Sequence, residues 1–197
     1  MTPTILLGYD THESGRIRTL FLLKMYGKMS TRHYHLLDDP EQERTLLCDI
    51  SKLLSKDCFR IAGYSSRTFW SEVILRKAFQ LGVAFPWYYQ DRFGPRYRYA
   101  DSKHLDIQDF LTDYGKMEKS QALGLIGAEK RDGIFGTVLN DALLLLRCDL
   151  LSGSITEEEH NKVIADFQTD DWLQTLVVPH LSDFRKEADR MVVRVST

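Results

Sequence analysis

The first side chains able to ligate a metal ion follow the first apolar run of the chain. Asp10 ends this run, and His12 stands two residues beyond it. Carboxylate oxygens are the ligands that Mg²⁺ prefers, whereas imidazole nitrogens suit Zn²⁺. Asp10 and His12, together with His33, His35 and His104, offer the donor atoms of a zinc site. However, two histidines spaced two residues apart on a strand, such as His33 and His35, are more often surface residues or hydrogen-bonded to other protein groups. Nothing in the spacing ties these residues together into one site.

A second group of residues with chemical potential lies between residues 86 and 99. Aromatic rings alternate there with guanidinium groups, and the candidates are Trp87, Tyr88, Tyr89, Arg92, Arg96, Tyr97 and Arg98. Aromatic faces stack on bases, and arginine pairs with phosphates, so the segment suits a single-stranded nucleic acid. It suits equally well a structured connection whose rings pack on the core edge while its arginines are solvated. The pattern leaves both interpretations open.

The composition is that of a folded protein. The chain has 197 residues, of which 43% are hydrophobic and 27% charged, enough for a core without disulfides or a structural metal. No apolar run approaches the roughly 20 residues of a membrane span. The three cysteines are odd in number, far apart and in no CxxC spacing: Cys48, Cys58 and Cys148. We therefore expect a cytoplasmic protein with buried thiols.

Charge is distributed unevenly along the chain. Residues 1–100 carry 15 basic and 10 acidic side chains, whereas residues 101–197 carry 11 basic and 18 acidic ones. The first half is therefore positive by 5 and the second negative by 7, which gives the net charge of −2. A phosphate-binding surface is expected in the first half.

The apolar pattern predicts both strands and helices. Strands are predicted over residues 4–9, 18–26, 30–37 and 58–63, and helices from Pro40, over 69–81, 107–114 and 134–151, and from Thr156. The run Leu143–Leu146 is apolar on all sides, so the helix over 134–151 should lie deep in the core. This order predicts an α/β fold in which helices pack on a mixed sheet.

Several segments carry a resemblance to a known family. Residues 60–70 resemble the second exonuclease motif of family B DNA polymerases, G-Y-N-x-x-x-F-D. Residues 86–89, 96–99 and 103–106 resemble a stretch typical of predicted 3′–5′ exonucleases related to the polymerase B proofreading domain. Residues 138–147 resemble the helix that carries the third motif of that family. These segments occur in the family's order and cover most of residues 4 to 160.

The resemblance implies a ribonuclease H-like, DnaQ-like exonuclease fold, with a mixed central sheet flanked by helices. The exonuclease-like domain is expected over residues 1–153, with a C-terminal helical extension over 154–197 packed on it. An active member of the family uses four carboxylates, which hold two divalent metals about 3.5–4 Å apart. The metals activate a water molecule and stabilise the leaving 3′ oxygen.

The motif positions of this chain lack most of those carboxylates. Asp10 matches the acid of the first motif, but the other positions are vestigial: His12 replaces Glu, Ser65 replaces Asn, Trp70 and Thr137 replace Asp, and Gly133 replaces the general base. An indole offers only an N–H donor and cannot ligate a cation. One metal ligand of four survives.

Acids near the motifs provide alternatives. Glu13 adjoins the first motif, Glu72 lies two residues past Trp70 and should point well away, and Asp132 and Asp141 flank the third motif. Restoring three ligands from them requires three independent distortions. Asp106 also matches the family, although capping of a helix explains it equally well. Ser65 and Ser66 have no base that the sequence pairs with them, which disfavours nucleophilic catalysis.

Three hypotheses follow. The first is a degenerate exonuclease fold without metal-dependent nuclease activity and without a cofactor, retained to bind single-stranded nucleic acid or a protein. The second is an active divergent 3′–5′ exonuclease that uses Mg²⁺ or Mn²⁺ with Asp10, Glu13 or other acids. The third is a structural interaction module whose former cleft is filled by Trp70.

Overall fold

A six-stranded mixed sheet forms the centre of the molecule, with strand order β5-β4-β1-β2-β3-β6. The strands are β1 (Thr4–Thr11), β2 (Ile17–Met25), β3 (Ser30–His35), β4 (Arg60–Gly63), β5 (His104–Asp106) and β6 (Arg194–Ser196). The structure is a computed structural model that describes residues 2–26, 29–56, 59–89, 103–112, 116–168 and 194–196. The fold predicted from the sequence, helices on a mixed sheet, is confirmed.

Strand β1 organises this sheet. It pairs antiparallel with β2, with Leu7 opposite Leu22, and parallel with β4, with Ile5 opposite Ile61. Strand β5 continues the parallel half, because Ala62 pairs with Leu105. The apolar part of β1 is buried on both faces, as expected for a strand covered by helices on either side.

Eight helices and one π-helical segment fall within the described residues. They are α1 (Pro40–Lys56), α2 (Ser66–Phe69), a π-helical segment (Trp70–Leu75), α3 (Arg76–Gln80), α4 (Pro86–Tyr89), α5 (Ile107–Thr112), α6 (Lys119–Leu125), α7 (Gly133–Leu151) and α8 (Glu157–Gln168). The single helix predicted over 69–81 thus begins earlier, at Ser66, and contains a π-helical turn. The sequence analysis did not predict α6.

Two hydrophobic cores lie on opposite faces of the sheet. Leu47 and Ile50 of α1 join Ile5 and Leu7 of β1 in the first core. In the second, α7 packs on the other face of β1, around Leu6. Three residues of the predicted all-apolar run are fully buried in that core: Leu144, Leu145 and Leu146. The deep position predicted for this helix is therefore confirmed.

The C-terminal part of the described chain packs on the same body. Val163 and Ile164 of α8 contact the second core, and β6 pairs antiparallel with β3. The described part of residues 154–197 therefore contains a strand as well as a helix. No described helix has both the length and the apolar character needed to cross a membrane.

The cysteine prediction is correct in part. Cys148 is a buried free thiol, and its burial raises its pKa to about 12. Cys48 is also free but only half-buried, and Cys58 lies outside the described residues.

Candidate functional site

A cleft opens where β1 and β4 end and the chain enters α2. It has a volume of about 440 Å³. The residues that line it are Leu7, Gly8, Tyr9, Ala62, Gly63, Tyr64, Ser65, Ser66, Thr68, Phe69, Trp70, Glu72, Val73, Lys119, Thr137 and Asp141. The cleft thus brings together the segments that resemble exonuclease motifs, because β1, the start of α2 and α7 meet there.

A buried carboxylate holds the turn between β4 and α2. Ser65 adopts a left-handed conformation (φ 53°, ψ 32°), which is uncommon for a residue other than glycine. The Asp106 carboxylate accepts the backbone N–H groups of Ser65 at 3.1 Å, Arg67 at 3.0 Å and Gln108 at 3.0 Å. Burial raises the pKa of Asp106. The Gln108 N–H bond is the helix cap that the sequence suggested for Asp106.

Trp70 fills the base of the cleft. Its side chain is 1% exposed and lies nearly parallel to the Tyr88 ring, with centroids 6.5 Å apart. Its indole N–H finds no hydrogen-bond partner within the described part of the chain. A buried indole therefore occupies the position at which the family resemblance places an aspartate.

Asp10 does not line the cleft. Its carboxylate pairs with the guanidinium of Arg18 on β2. His12, beyond the end of β1, has Nε2 3.1 Å from the carbonyl oxygen of Leu36. Asp10 thus lies outside the cleft lining, and its role as the surviving metal ligand stays a prediction.

Gly8, which lies two residues before Asp10, contacts α7 instead. A Cβ placed on Gly8 would meet the Ile134 carbonyl oxygen and Val138 Cγ2, each at 2.7 Å. Because α7 approaches the strand so closely, no side chain fits at this point of β1.

The buried acid of the cleft is Asp141, one helical turn beyond Thr137. It is 3% exposed, and its Oδ1 lies 2.7 Å from the Lys119 ammonium. The backbone N–H of Tyr64 donates to Oδ2 at 3.3 Å. Burial raises the pKa of Asp141, while the Lys119 charge opposes that rise. Thr137 and Asp141 thus both face the cleft. The Lys119 ammonium offsets the charge of the Asp141 carboxylate.

Glu72 corrects another expectation. Its side chain is exposed and lines the cleft together with Trp70, although the sequence predicted that it points well away. Asp132 lies outside the cleft lining, where it pairs with Lys130 at 3.6 Å. Throughout the described residues, no group of three or more His, Cys, Asp or Glu side chains is arranged to hold a metal ion.

The same finding bears on the zinc hypothesis, because none of its described residues belongs to such a group. His104 is buried beneath Trp70, with Nε2 3.0 Å from Ser66 Oγ, whereas His12 contacts the Leu36 carbonyl. Burial, aided by the Arg67 charge, lowers the pKa of His104 to about 3. The sequence analysis missed this Ser66–His104 pair. Both side chains are buried, which is typical of a structural pair.

The aromatic segment is divided between the core and the surface. Tyr88 is 7% exposed and packs on Trp70, so its ring is not accessible for base stacking, which corrects that prediction. Trp87 is half-buried against the first core, and Tyr89 is exposed. The remaining predicted binding residues lie outside the described residues: Arg92, Arg96, Tyr97 and Arg98.

An accessible aromatic pair in the cleft was also missed. The rings of Tyr9 and Phe69 stack with centroids 4.2 Å apart and planes 20° apart, and Tyr9 is 39% exposed. Each residue immediately precedes a motif position, Asp10 and Trp70 respectively. Their pairing depends on the approach of β1 to α2, which no local pattern indicates.

The mixed sheet flanked by helices is a fold that the chain shares with solved exonuclease structures. Two solved structures to which the chain is similar are those of exonuclease I. One, with bound product, has a TM-score of 0.52 and 11% identity over 90% of this chain and 49% of that one. The other, E. coli exonuclease I in complex with a 5cy-dT13 oligonucleotide, has a TM-score of 0.51 and 12% identity over 90% and 45%.

The chain therefore spans about half the length of these exonucleases. At this level of identity the similarity shows the fold alone. No family model matches the chain, and no curated protein matches it. The particular relation to the polymerase B proofreading domain stays a prediction.

Proposed function

We propose that this chain is a degenerate exonuclease-fold protein that lacks metal-dependent nuclease activity and binds single-stranded nucleic acid. The observation that carries the proposal is the Lys119–Asp141 ion pair, which places an ammonium next to the buried acid of the cleft. Within the proposal, residues 1–153 form the exonuclease-like domain and the following residues extend it.

The acids present do not fit a two-metal site. Two Mg²⁺ or Mn²⁺ ions require several oxygen ligands at near-octahedral positions. Glu72 and Asp141 are the acids that line the cleft, and Asp141 already faces an ammonium. A divalent ion there would meet the charge of Lys119 with too few carboxylates to offset it. We therefore derive no metal-dependent step for this cleft.

Nucleic acid is the ligand class that the remaining features favour. The Tyr9–Phe69 pair offers an accessible ring, and Lys119 places an ammonium in the cleft. The exonuclease I structures, with product or with an oligonucleotide, make a nucleic-acid ligand a natural expectation for this fold. A protein is the alternative ligand for this chain. An assay of oligonucleotide binding distinguishes the two ligand classes.

The nuclease part is tested with 5′-labelled single-stranded DNA and RNA in Mg²⁺ and in Mn²⁺. We expect intact substrate with the wild-type chain. The variants Asp10→Ala, Asp141→Asn and Glu72→Gln serve as controls, because they remove the acids that an unusual metal site would use. A ladder of products that disappears in any of these variants would overturn the proposal and favour the active, divergent exonuclease.

The binding part is tested by fluorescence anisotropy with the same oligonucleotides. Saturable binding that weakens with salt is expected, because phosphate contacts release counterions. Absence of binding to both DNA and RNA would contradict this part and leave the structural interaction module as the better description.

A further inference from the structure

We propose that the cleft contains a binding site for a primary ammonium group, built around the Asp141 carboxylate, and that the Lys119 side chain fills this site from within the chain. The inference deepens the proposed absence of metal-dependent chemistry and rests on it, because no divalent ion then competes for Asp141. Its consequence is that the site accepts an added cation only when the Lys119 side chain is removed.

One oxygen of the Asp141 carboxylate faces the ammonium. Lys119 Nζ lies 2.7 Å from Asp141 Oδ1. Asp141 is 3% exposed, so its charge is costly unless a cation lies next to it. Nζ also lies 5.6 Å from the centre of the Tyr64 ring, which is within the range of a cation–π contact. A carboxylate and an aromatic ring are both groups that attract an ammonium, and here they face the same nitrogen.

The other oxygen of Asp141 faces the backbone at the end of β4. The Tyr64 N–H donates to Oδ2 at 3.3 Å, and a Cβ placed on Gly63 would lie 3.3 Å from the same oxygen. Mg²⁺ requires oxygen ligands at about 2.0–2.1 Å in an octahedron, and neither an N–H group nor a glycine Cα supplies one. The surroundings of Asp141 therefore suit an ammonium, which donates hydrogen bonds, better than a divalent ion.

The segment that carries the ammonium is fixed on both sides of Lys119. The Met117 carbonyl accepts the Tyr64 hydroxyl at 2.6 Å and the Gln108 side-chain amide at 3.1 Å. Lys119 begins α6, and Leu123 of the same helix is fully buried in the second core. A tethered group acts at an effective concentration of roughly millimolar. Micromolar concentrations of an added cation should therefore not displace Lys119.

Shortening the Lys119 side chain opens this site to the cleft. The side chain is 21% exposed and lines the cleft, whose volume is about 440 Å³, so a small ion can enter from solvent. The substitution Lys119→Ala keeps Cβ and removes the atoms that correspond to one propylammonium ion. Propylammonium is therefore the ligand that we expect the Lys119→Ala variant to bind, with its nitrogen next to Asp141.

Thermal unfolding of Lys119→Ala at neutral pH, with and without propylammonium chloride, tests the site. The variant should unfold at least roughly 6 °C below the wild type, because a buried carboxylate loses its partner. Propylammonium at about tenfold its Kd should restore roughly 3 °C or more. KCl of equal ionic strength, 1-propanol and Mg²⁺ should not replace it. The wild type should not respond to propylammonium, because Lys119 fills the site.

Two control variants separate this site from general charge effects. Lys52→Ala removes an ammonium that also lies near an aspartate, 4.0 Å from Asp49 Oδ1, but its side chain is 80% exposed. It should unfold within about 2 °C of the wild type with or without propylammonium. The double variant Lys119→Ala/Asp141→Asn removes both charges, so it should be more stable than Lys119→Ala and gain nothing from propylammonium. If Lys119→Ala is unfolded in buffer, recovery of its fold in propylammonium becomes the measurement.

Each outcome decides the proposal. Rescue of Lys119→Ala by propylammonium that is absent from the double variant supports the ammonium site. No rescue, equal rescue of both variants, or rescue by Mg²⁺ instead overturns the site, while the proposed lack of nuclease activity in the wild type stands. Degradation of the labelled oligonucleotides by the wild type in Mg²⁺ or Mn²⁺ contradicts the proposed function, and this inference fails with it.

Discussion

The Lys119 ammonium lies 2.7 Å from the Asp141 carboxylate, and the two side chains face the same cleft from α6 and α7. Asp141 is buried, so its charge is costly unless a partner offsets it. Lys119 provides that partner within the chain itself. The ion pair therefore links the stability of the α6–α7 contact to the chemistry available in the cleft.

Lys119→Met should raise the pKa of Asp141 further and destabilise the fold. Burial already raises that pKa, and Lys119 opposes the rise. Leaving a buried charge unpaired costs about 3–5 kcal/mol of unfolding free energy at neutral pH. Carbon-detected NMR titration of the aspartate carboxyls measures the pKa, and urea unfolding measures the cost.

The unfolding free energy of Lys119→Met should depend on pH in a definite direction. A carboxyl whose folded pKa exceeds its unfolded pKa loses its stabilising contribution as the pH rises through the folded value. Lys119→Met should therefore lose stability on going from acidic to neutral pH more steeply than Lys119→Arg does. An unchanged Asp141 titration in Lys119→Met would refute this account of the ion pair.

His104 should make the protein sensitive to acid. Its folded pKa of about 3 lies below the unfolded value of about 6.5, so the unfolded chain binds a proton that the folded chain excludes. Stability is therefore lost as the pH falls from about 6.5 towards the folded pKa. At about pH 4.5 the loss from this group is roughly 2–3 kcal/mol. Urea unfolding of His104→Asn should show a shallower decline over this range, and an identical slope would disprove the effect.

Trp70→Ala should be among the most destabilising substitutions in the first core. The indole is 1% exposed and contacts both Tyr88 and His104. Removal of a buried large aromatic side chain costs about 3–5 kcal/mol. Phe79→Ala is the matched control, because that ring is 89% exposed and its loss should cost no more than about 0.5 kcal/mol. Equal unfolding midpoints for the two variants would show that Trp70 is not a core residue.

Gly8→Ala tests how closely β1 and α7 pack. The new Cβ would lie 2.7 Å from the Ile134 carbonyl oxygen, so the helix must shift, at a cost of about 1–3 kcal/mol. Gly124→Ala is the control on α6, where a Cβ meets no atom of another residue within 4 Å. That substitution should be neutral or stabilise by about 0.5–1 kcal/mol. Thermal unfolding distinguishes the two, and a neutral Gly8→Ala would contradict the close contact.

Local patterns were sufficient for strands β1 to β4 and for the longer helices, and for much of the cleft's location, but not for α4, β5, α6 or β6. The apolar period of residues 134–151 predicted a buried helix, and α7 spans Gly133–Leu151. The motif-like segments predicted that Ser65, Trp70 and Thr137 belong to one site, and all three line the cleft. Glu72 was misplaced, because spacing along one helix does not reveal which residues border a cavity formed by several elements.

The sequence by itself determined which residue types stand at the motif positions, and so the absence of carboxylates at Trp70 and Thr137. Only the tertiary structure decided how the remaining acids are used. Asp10 pairs with Arg18 outside the cleft lining, and Asp141 pairs with Lys119 within it. Both choices depend on contacts between separate elements of the sheet and helices. Such contacts are set by packing and charge in three dimensions, and spacing along the chain does not specify them.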